Sequence, residues 1–158
     1  MTDATLDNLD RRILIALQEN NQLSADELGE RVGLSASAAQ RRAKRLRSEK
    51  VILNDVAIVD PKAVGQSATF IVEVCLEREN TEVVANFNQR MRRAPEVQQC
   101  YYTTGDADFI VVVVGRTLED YSELIDQLFV RDENIRKFKT SVVLSRVKAT
   151  LAVPIAES

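Results

Sequence analysis

The chain contains no histidine. This removes the commonest general base and the commonest metal ligand, and it weakens any enzymatic reading. Cysteine is scarce: Cys75 and Cys100 stand alone, without CxxC spacing. Two separated cysteines cannot assemble a cysteine–histidine zinc site, and buried thiols in a reduced, cytoplasmic setting are the plain expectation. Long apolar runs are missing too. The longest, FIVVVVG at 109–115, falls far short of the roughly 20 residues a membrane span needs. The opening MTDATLDNLD is acidic and polar, so it is not expected to act as a signal peptide. There is no low-complexity segment. At 158 residues the length admits one domain or two small ones.

What is present is unevenly placed. Residues 35–50, SASAAQRRAKRLRSEK, carry six basic residues against the single acid Glu49. That is +5 on a chain of net charge −3, which leaves −8 for the remainder. Taking about 100° per residue from Ala39, the apolar Ala39, Ala43 and Leu46 share one face. Ser37, Arg41, Lys44, Arg45 and Ser48 then fall on the opposite face, with Gln40 on the flank and Arg42 turned back toward the core. The inward direction of Arg42 predicts an ion pair or a packing role, with acids of the preceding helix such as Asp26 or Glu27 as partners, and a contact with DNA phosphate is the alternative.

Two helices precede this one. Leu6, Leu9, Ile13, Ala16 and Leu17 form an apolar stripe, with Asp7 as N-cap and Asp10 three residues on. Ser24 and Glu27 form a capping box that opens a second helix, over 24–32, with Ala25, Leu28 and Val32 inward. Gly33 supplies its stop and the tight turn that follows. Three short helices with a glycine turn between the last two match a helix-turn-helix. In that context the basic face points to duplex DNA. Ser35, Ser37, Gln40 and Arg41 lie at the end that enters the major groove, and Lys44, Arg45 and Arg47 are placed to meet phosphates. A merely solvated charged face is the competing reading. The β-branched VILNDVAIV at 51–59 predicts a strand linking two domains, ended by Asp60-Pro61.

From residue 67 the pattern reads β-α-β-β-α-β, the ferredoxin-like order. SATFIVEVCLE, VQQCYYTT, FIVVVVG and IRKFKTSVVLSRV are the strands, and TEVVANFNQRMRRA and TLEDYSELIDQLFV the helices. Leu118, Tyr121, Leu124, Ile125 and Leu128 are the apolar positions of the second of these helices. Both faces of 109–114 are apolar, whereas helices cover only one face of such a sheet. A second copy of the domain is the simplest cover for the other face, and a C-terminal tail from 147 to 156 is the alternative. The fold class is thus α+β: residues 1–50 a helix-turn-helix domain, 51–66 a linking strand, 67–158 a ferredoxin-like domain.

LDNLDRRILIALQEN, SADELGERVGLSASAAQRRAKRLRSEKVI and, far downstream, TTGDADFIVVV together resemble the Lrp/AsnC family of transcription regulators. The resemblance spans roughly residues 6–148. It implies a winged helix-turn-helix, a ferredoxin-like domain that binds small effectors, typically amino acids, and self-association as dimers that can build octamers. It also implies an effector pocket at a subunit interface around the G-D-x-D turn, which carries over Thr104, Gly105, Asp106 and Asp108, with Ser141 and Val142 from the last strand. Two positions depart from the family pattern. Lys50 stands where glycine usually follows the recognition helix, so Lys50 must take a left-handed conformation or the helix must end otherwise. Ala107 stands between the two acids, where an aromatic is common. Two carboxylates without further ligands do not make a metal site, so no metal is expected, and no cofactor beyond the effector.

The expected function is a cytoplasmic, sequence-specific transcription regulator, tuned by an amino acid at an oligomer interface, with double-stranded DNA and its own copies as partners and no membrane. An architectural DNA-coating protein is the alternative. An enzyme on this scaffold is disfavoured, because the decarboxylases of similar layout rely on histidines absent here.

Overall fold

The computed structural model describes residues 6–156. The chain divides into two compact units, one running to Ile58 and including the tail from Ala149, the other spanning Val59–Lys148.

The first unit is built from three helices: α1 (Asn8–Glu19), α2 (Ala25–Val32) and α3 (Ala36–Ser48). Ile13, Leu28, Val32, Ala39, Ala43 and Leu46 are buried together and form its core. Each helix starts where the sequence signals it. Asp7 and Ser24 both form complete capping boxes, with Asp10 and Glu27 as their returning acids. Gly33 ends α2 in the left-handed region, at φ 75°. A second glycine, Gly29, matters for another reason. A Cβ there would lie 2.7 Å from the carbonyl oxygen of Leu34, so the close α2–α3 turn depends on its bare backbone.

Helix α3 ends at a residue with an uncommon conformation. Lys50 has φ 61°, the only positive φ outside glycine among the described residues. The Lys50 N–H donates to the Arg47 carbonyl (3.1 Å) and the Val51 N–H to the Leu46 carbonyl (2.9 Å), the paired bonds of a Schellman cap. Val51 also packs against the helical core, as such a cap requires. Of the two possibilities the sequence leaves at position 50, the lysine takes the left-handed conformation.

The strand expected over 51–59 does not form. These residues run on without pairing, and Leu53, Val56, Ile58 and Val59 are exposed, Ile58 at 84%. Their β-branched composition supplies propensity, but no neighbouring strand supplies hydrogen bonds. The tail differs from expectation as well. Residues from Ala149, grouped above with the ferredoxin-like domain, belong to the helical unit. The Gln18 side-chain amide donates to the Val153 carbonyl (3.0 Å), its oxygen accepts from the Val153 N–H (2.7 Å), and Ile155 packs on the core.

The second unit carries β1 (Ala68–Leu76), α4 (Thr81–Arg93), β2 (Val97–Tyr102), β3 (Phe109–Gly115), α5 (Leu118–Ile125, continued by a π turn to Val130) and β4 (Ile135–Val142). A short 3-10 turn at Pro61–Val64 precedes β1. The sheet is antiparallel with order β2-β3-β1-β4, the ferredoxin-like topology. Phe70, Val72, Val74, Phe109, Val111 and Val113 share one face with Phe87 and Met91 of α4 and Tyr121 and Ile125 of α5. Phe70 stacks on Tyr121 at 3.8 Å and Phe87 on Phe109 at 4.2 Å. Leu118, expected inward, occupies the first position of α5 and is exposed. The last strand stops at Val142, short of the expected 147. On the other sheet face, Ile71, Ile110, Val112 and Val114 align across β1 and β3 and keep partial exposure.

Lys50→Gly removes the steric cost of a left-handed L-residue, roughly 1–2 kcal/mol, part of which is offset by glycine's greater freedom when unfolded. The helical unit should gain about 0.5–1 kcal/mol and a few degrees of melting midpoint. A lowered midpoint in a thermal melt would contradict this account of the cap.

Candidate nucleic-acid interface and effector turn

Helix α3 divides its polar residues into two sets. Ser35 is the N-cap: its hydroxyl accepts from the Ala38 N–H and lies 3.3 Å from the Ser37 hydroxyl. Ser37, Gln40, Arg41 and Lys44 are exposed. Among the described residues Arg41 and Lys44 form no ion pair. The remaining arginines are all held. Arg42 donates to Asp7 (2.6 Å) and to Asp10 (2.9 Å), and Arg45 donates to the other oxygen of Asp10 (2.5 Å). Arg47 grips Asp55 with two bonds, 2.7 and 3.1 Å.

Asp10 is the centre of this arrangement. It is 1% exposed and, among the described residues, is the one charged residue that is buried. Its oxygens accept from Arg42, from Arg45 and from the Asp7 N–H. A carboxylate taken out of water must be paired and hydrogen-bonded in this way. Arg42 thus turns inward as the helical geometry predicts, but its partners correct the expectation. They are Asp7, the N-cap of α1, and Asp10 in its first turn, not Asp26 or Glu27 of α2. Glu27 is committed to capping the Ser24 N–H at 2.7 Å, and Asp26 stays exposed. Arg45 and Arg47, assigned above to phosphates, are bound to carboxylates in the protein alone. The sequence signal for Asp10 was present, but its capping role accounted for it fully. Nothing in the spacing marks Asp55 as a partner of Arg47.

The electrostatics follow the contacts. Asp7 is held below the usual carboxylate range, first by the Asp10 N–H and then by Arg42. Asp55 is lowered by Arg47, and Glu27 by the Ser24 side chain and N–H. The guanidinium of Arg42 is raised by its bonds to Asp7 and Asp10, and that of Arg45 by its bond to Asp10.

The second unit places the effector candidates as follows. Thr104, Gly105 and Asp106 form the exposed tip between β2 and β3, with Gly105 at φ 129°. Asp108 is half-buried and occupied: its carboxylate accepts from the Leu76 N–H at 2.6 Å, and its own N–H donates to the Val74 carbonyl. Thr103 closes the turn through the Ala107 carbonyl, and Ala107 is buried, which leaves no room for a larger ring there without repacking. Ser141 and Val142 lie elsewhere. They pair with Ile71 and Phe70, near the opposite end of β1 and on the other side of it from β3. Ser141 pairs with Ile71 and Phe109 with Val74, so Asp108 lies four residues further along, about 13 Å, and two strand spacings across, about 10 Å. One chain does not bring the six residues together. Two concavities among the described residues lie apart from them too, one between α1 and α2 beside Arg12 and Arg31, the other beside Gly115 and Tyr121.

Asp7, Asp55 and Glu27 release their protons more readily in the folded protein than in the unfolded chain. Their contribution to stability is therefore complete above about pH 5 and lost as pH falls through and below about 4. The melting midpoint of the helical unit should be flat above that range and fall below it. Asp7→Asn should lower the midpoint at neutral pH and shrink the acid decline. An acid limb identical to that of the parent protein would refute the role given to Asp7.

Comparison with known proteins places these features in a wider set. Residues 6–47 match the AsnC-type helix-turn-helix domain, and residues 69–153 the Lrp/AsnC ligand binding domain. The chain is 51% identical over 150 residues to the HTH-type transcriptional regulator y4tD of Sinorhizobium fredii, covering 95% of this chain and 89% of that one. It is 31% identical over 143 residues to the leucine-responsive regulatory protein of Escherichia coli, covering 90% and 87%. Among solved structures it superposes on a transcriptional regulator of Neisseria meningitidis in complex with L-Met, with a TM-score of 0.89 at 29% identity, covering 95% and 97%. An AsnC family regulator from Agrobacterium tumefaciens gives the same TM-score at 30% identity, covering 94% and 97%.

Proposed function

The chain belongs to the Lrp/AsnC family of transcription regulators, and from that premise we propose that α3 reads duplex DNA through Ser37, Gln40, Arg41 and Lys44, under the control of an amino acid bound by the second unit. The observation that carries the reading is the sorting of α3. Its outward face presents one hydroxyl, one amide and two uncommitted cations, while its other arginines are tied to the protein's own acids. Arginine and glutamine at the start of a recognition helix suit base edges, and Lys44 one turn later suits a phosphate. The acidic remainder of the chain concentrates DNA contact on this helix rather than spreading it over the surface.

For the effector, the exposed glycine turn at 104–106 offers backbone amides to a carboxylate, and its acid offers a partner to an ammonium group. Ser141 and Val142 lie too far away to join this turn within one chain. A pocket using both sets draws them from two copies, which supports a site shared across a homodimer. The apolar face of Ile71, Ile110, Val112 and Val114 supports the same self-association, with larger assemblies built on it. The effector acts by binding two assembly states with different affinity. The reading includes no catalysis and no cofactor other than the effector. Among the described residues no helix is long and apolar enough to cross a membrane, and a cytoplasmic location fits a DNA-bound regulator.

Two measurements test this. Arg41→Ala should cost about 1–3 kcal/mol of operator affinity and relax base preference at the positions it faces; an unchanged footprint and affinity would remove α3 from the interface. In a thermal-shift screen of the twenty amino acids, a ligand at about 100 times its Kd should stabilise the protein by about 2.7 kcal/mol. No shift with any of them would defeat the amino-acid reading.

A further inference from the structure

The pairing of Asp10 goes beyond capping a helix. We propose that Asp10 is a positioning and specificity residue of the DNA-reading head: it holds the charge of Arg45 away from DNA, so that α3 meets the duplex with Arg41 and Lys44 as its phosphate- and base-seeking cations. The inference rests on the proposal that α3 faces DNA.

Geometry supplies the argument. Arg42 and Arg45 are three residues apart and lie side by side on α3. Their guanidinium groups converge on the two oxygens of one carboxylate, at 2.9 and 2.5 Å. That carboxylate is 1% exposed, whereas the side chain of Arg45 is 43% exposed and reaches the surface. The two ends of the pair therefore have unequal alternatives. Arg45 could leave for water or a phosphate at little loss. Asp10 could not follow, and would keep only Arg42 and one N–H in a site closed to solvent. A phosphate contact is an exposed ion pair screened by salt, and the pair with Asp10, closed to water at its carboxylate end, is screened less. The balance favours Arg45 staying on Asp10 when DNA is bound.

The consequence concerns specificity. Every cation free to meet phosphate raises affinity for all sequences alike. By neutralising Arg45, and sharing Arg42 with Asp7, Asp10 keeps a strongly basic helix from binding any duplex it meets. It also fixes the rotation of α3 against α1, which decides which side chains face the groove.

Salt dependence separates this from a purely architectural role. The probe is a random-sequence duplex, titrated by fluorescence anisotropy over a range of salt concentrations with the full-length protein. Each phosphate contact contributes about 0.9 to the slope of log affinity against log salt. Asp10→Asn should steepen the slope by about 0.9 for each engaged head and tighten binding to random DNA. Adding Arg45→Gln to that variant should return the slope to the parent value. A residue that only held the fold together would weaken binding when replaced and would not steepen the slope. Where Asp10→Asn lowers the melting midpoint too far for titration, single variants decide. Lys44→Gln should flatten the slope by about 0.9 per head, and Arg45→Gln should leave it in place even if affinity falls. Equal flattening by Arg45→Gln and Lys44→Gln would overturn the proposal, because Arg45 would then be on phosphate. If Arg41→Gln and Lys44→Gln both leave the slope unchanged, α3 does not face DNA, and both readings fall together.

Discussion

The helical unit depends on one buried carboxylate. Asp10 sits at the start of α1 with Arg42 and Arg45 of α3 closing over it, and it accepts the Asp7 N–H as well. Losing one of the two arginines leaves this carboxylate with a single guanidinium and one N–H in a site closed to water, which costs stability. Ala39, Ala43 and Leu46 supply the apolar contact that brings α3 against its neighbours, but apolar contact is nearly non-directional. The ion pairs supply direction. They set which face of α3 looks outward, and so connect a packing detail to the surface that the proposed reading turns toward DNA.

The turns around α3 serve the same end. Gly29 lets the backbone of α2 approach the Leu34 carbonyl, and Gly33 reverses the chain in the left-handed region. At the far end Lys50 closes a Schellman cap against its own steric preference. Helix α3 is thus fixed at its start by a glycine turn and a serine cap, along its length by Asp10, and at its end by a strained lysine. In the second unit the helices shield one sheet face, and the other keeps an apolar row whose burial requires something outside the single unit.

Much of this was legible in the sequence, and the failures have physical causes. Capping boxes are local, so Asp7 and Ser24 mark their helices from spacing alone. The ferredoxin-like order follows from alternating patterns and short turns. Helical angles gave the direction of Arg42 correctly but not its partner, since a wheel describes one helix and not its neighbours. Asp10 looked like an ordinary first-turn acid because its hydrogen bond to Asp7 is local, while its bonds to Arg42 and Arg45 span more than thirty positions. The strand over 51–59 failed because propensity needs a partner. The G-D-x-D turn was legible as a turn. Its grouping with Ser141 and Val142 came from family resemblance, and the single chain leaves the two sets apart.

The most direct test of the central claim, that α3 divides its arginines between DNA and the protein, is side-chain NMR of the arginine guanidinium groups, recorded with and without operator DNA. Hydrogen bonding to Asp10 restricts rotation and slows exchange. Arg42 and Arg45 should therefore give slowly exchanging signals in the free protein that persist unchanged on DNA, while Arg41 should be averaged when free and shift sharply on binding. A shift of Arg45 on DNA with Arg41 unmoved would contradict the account.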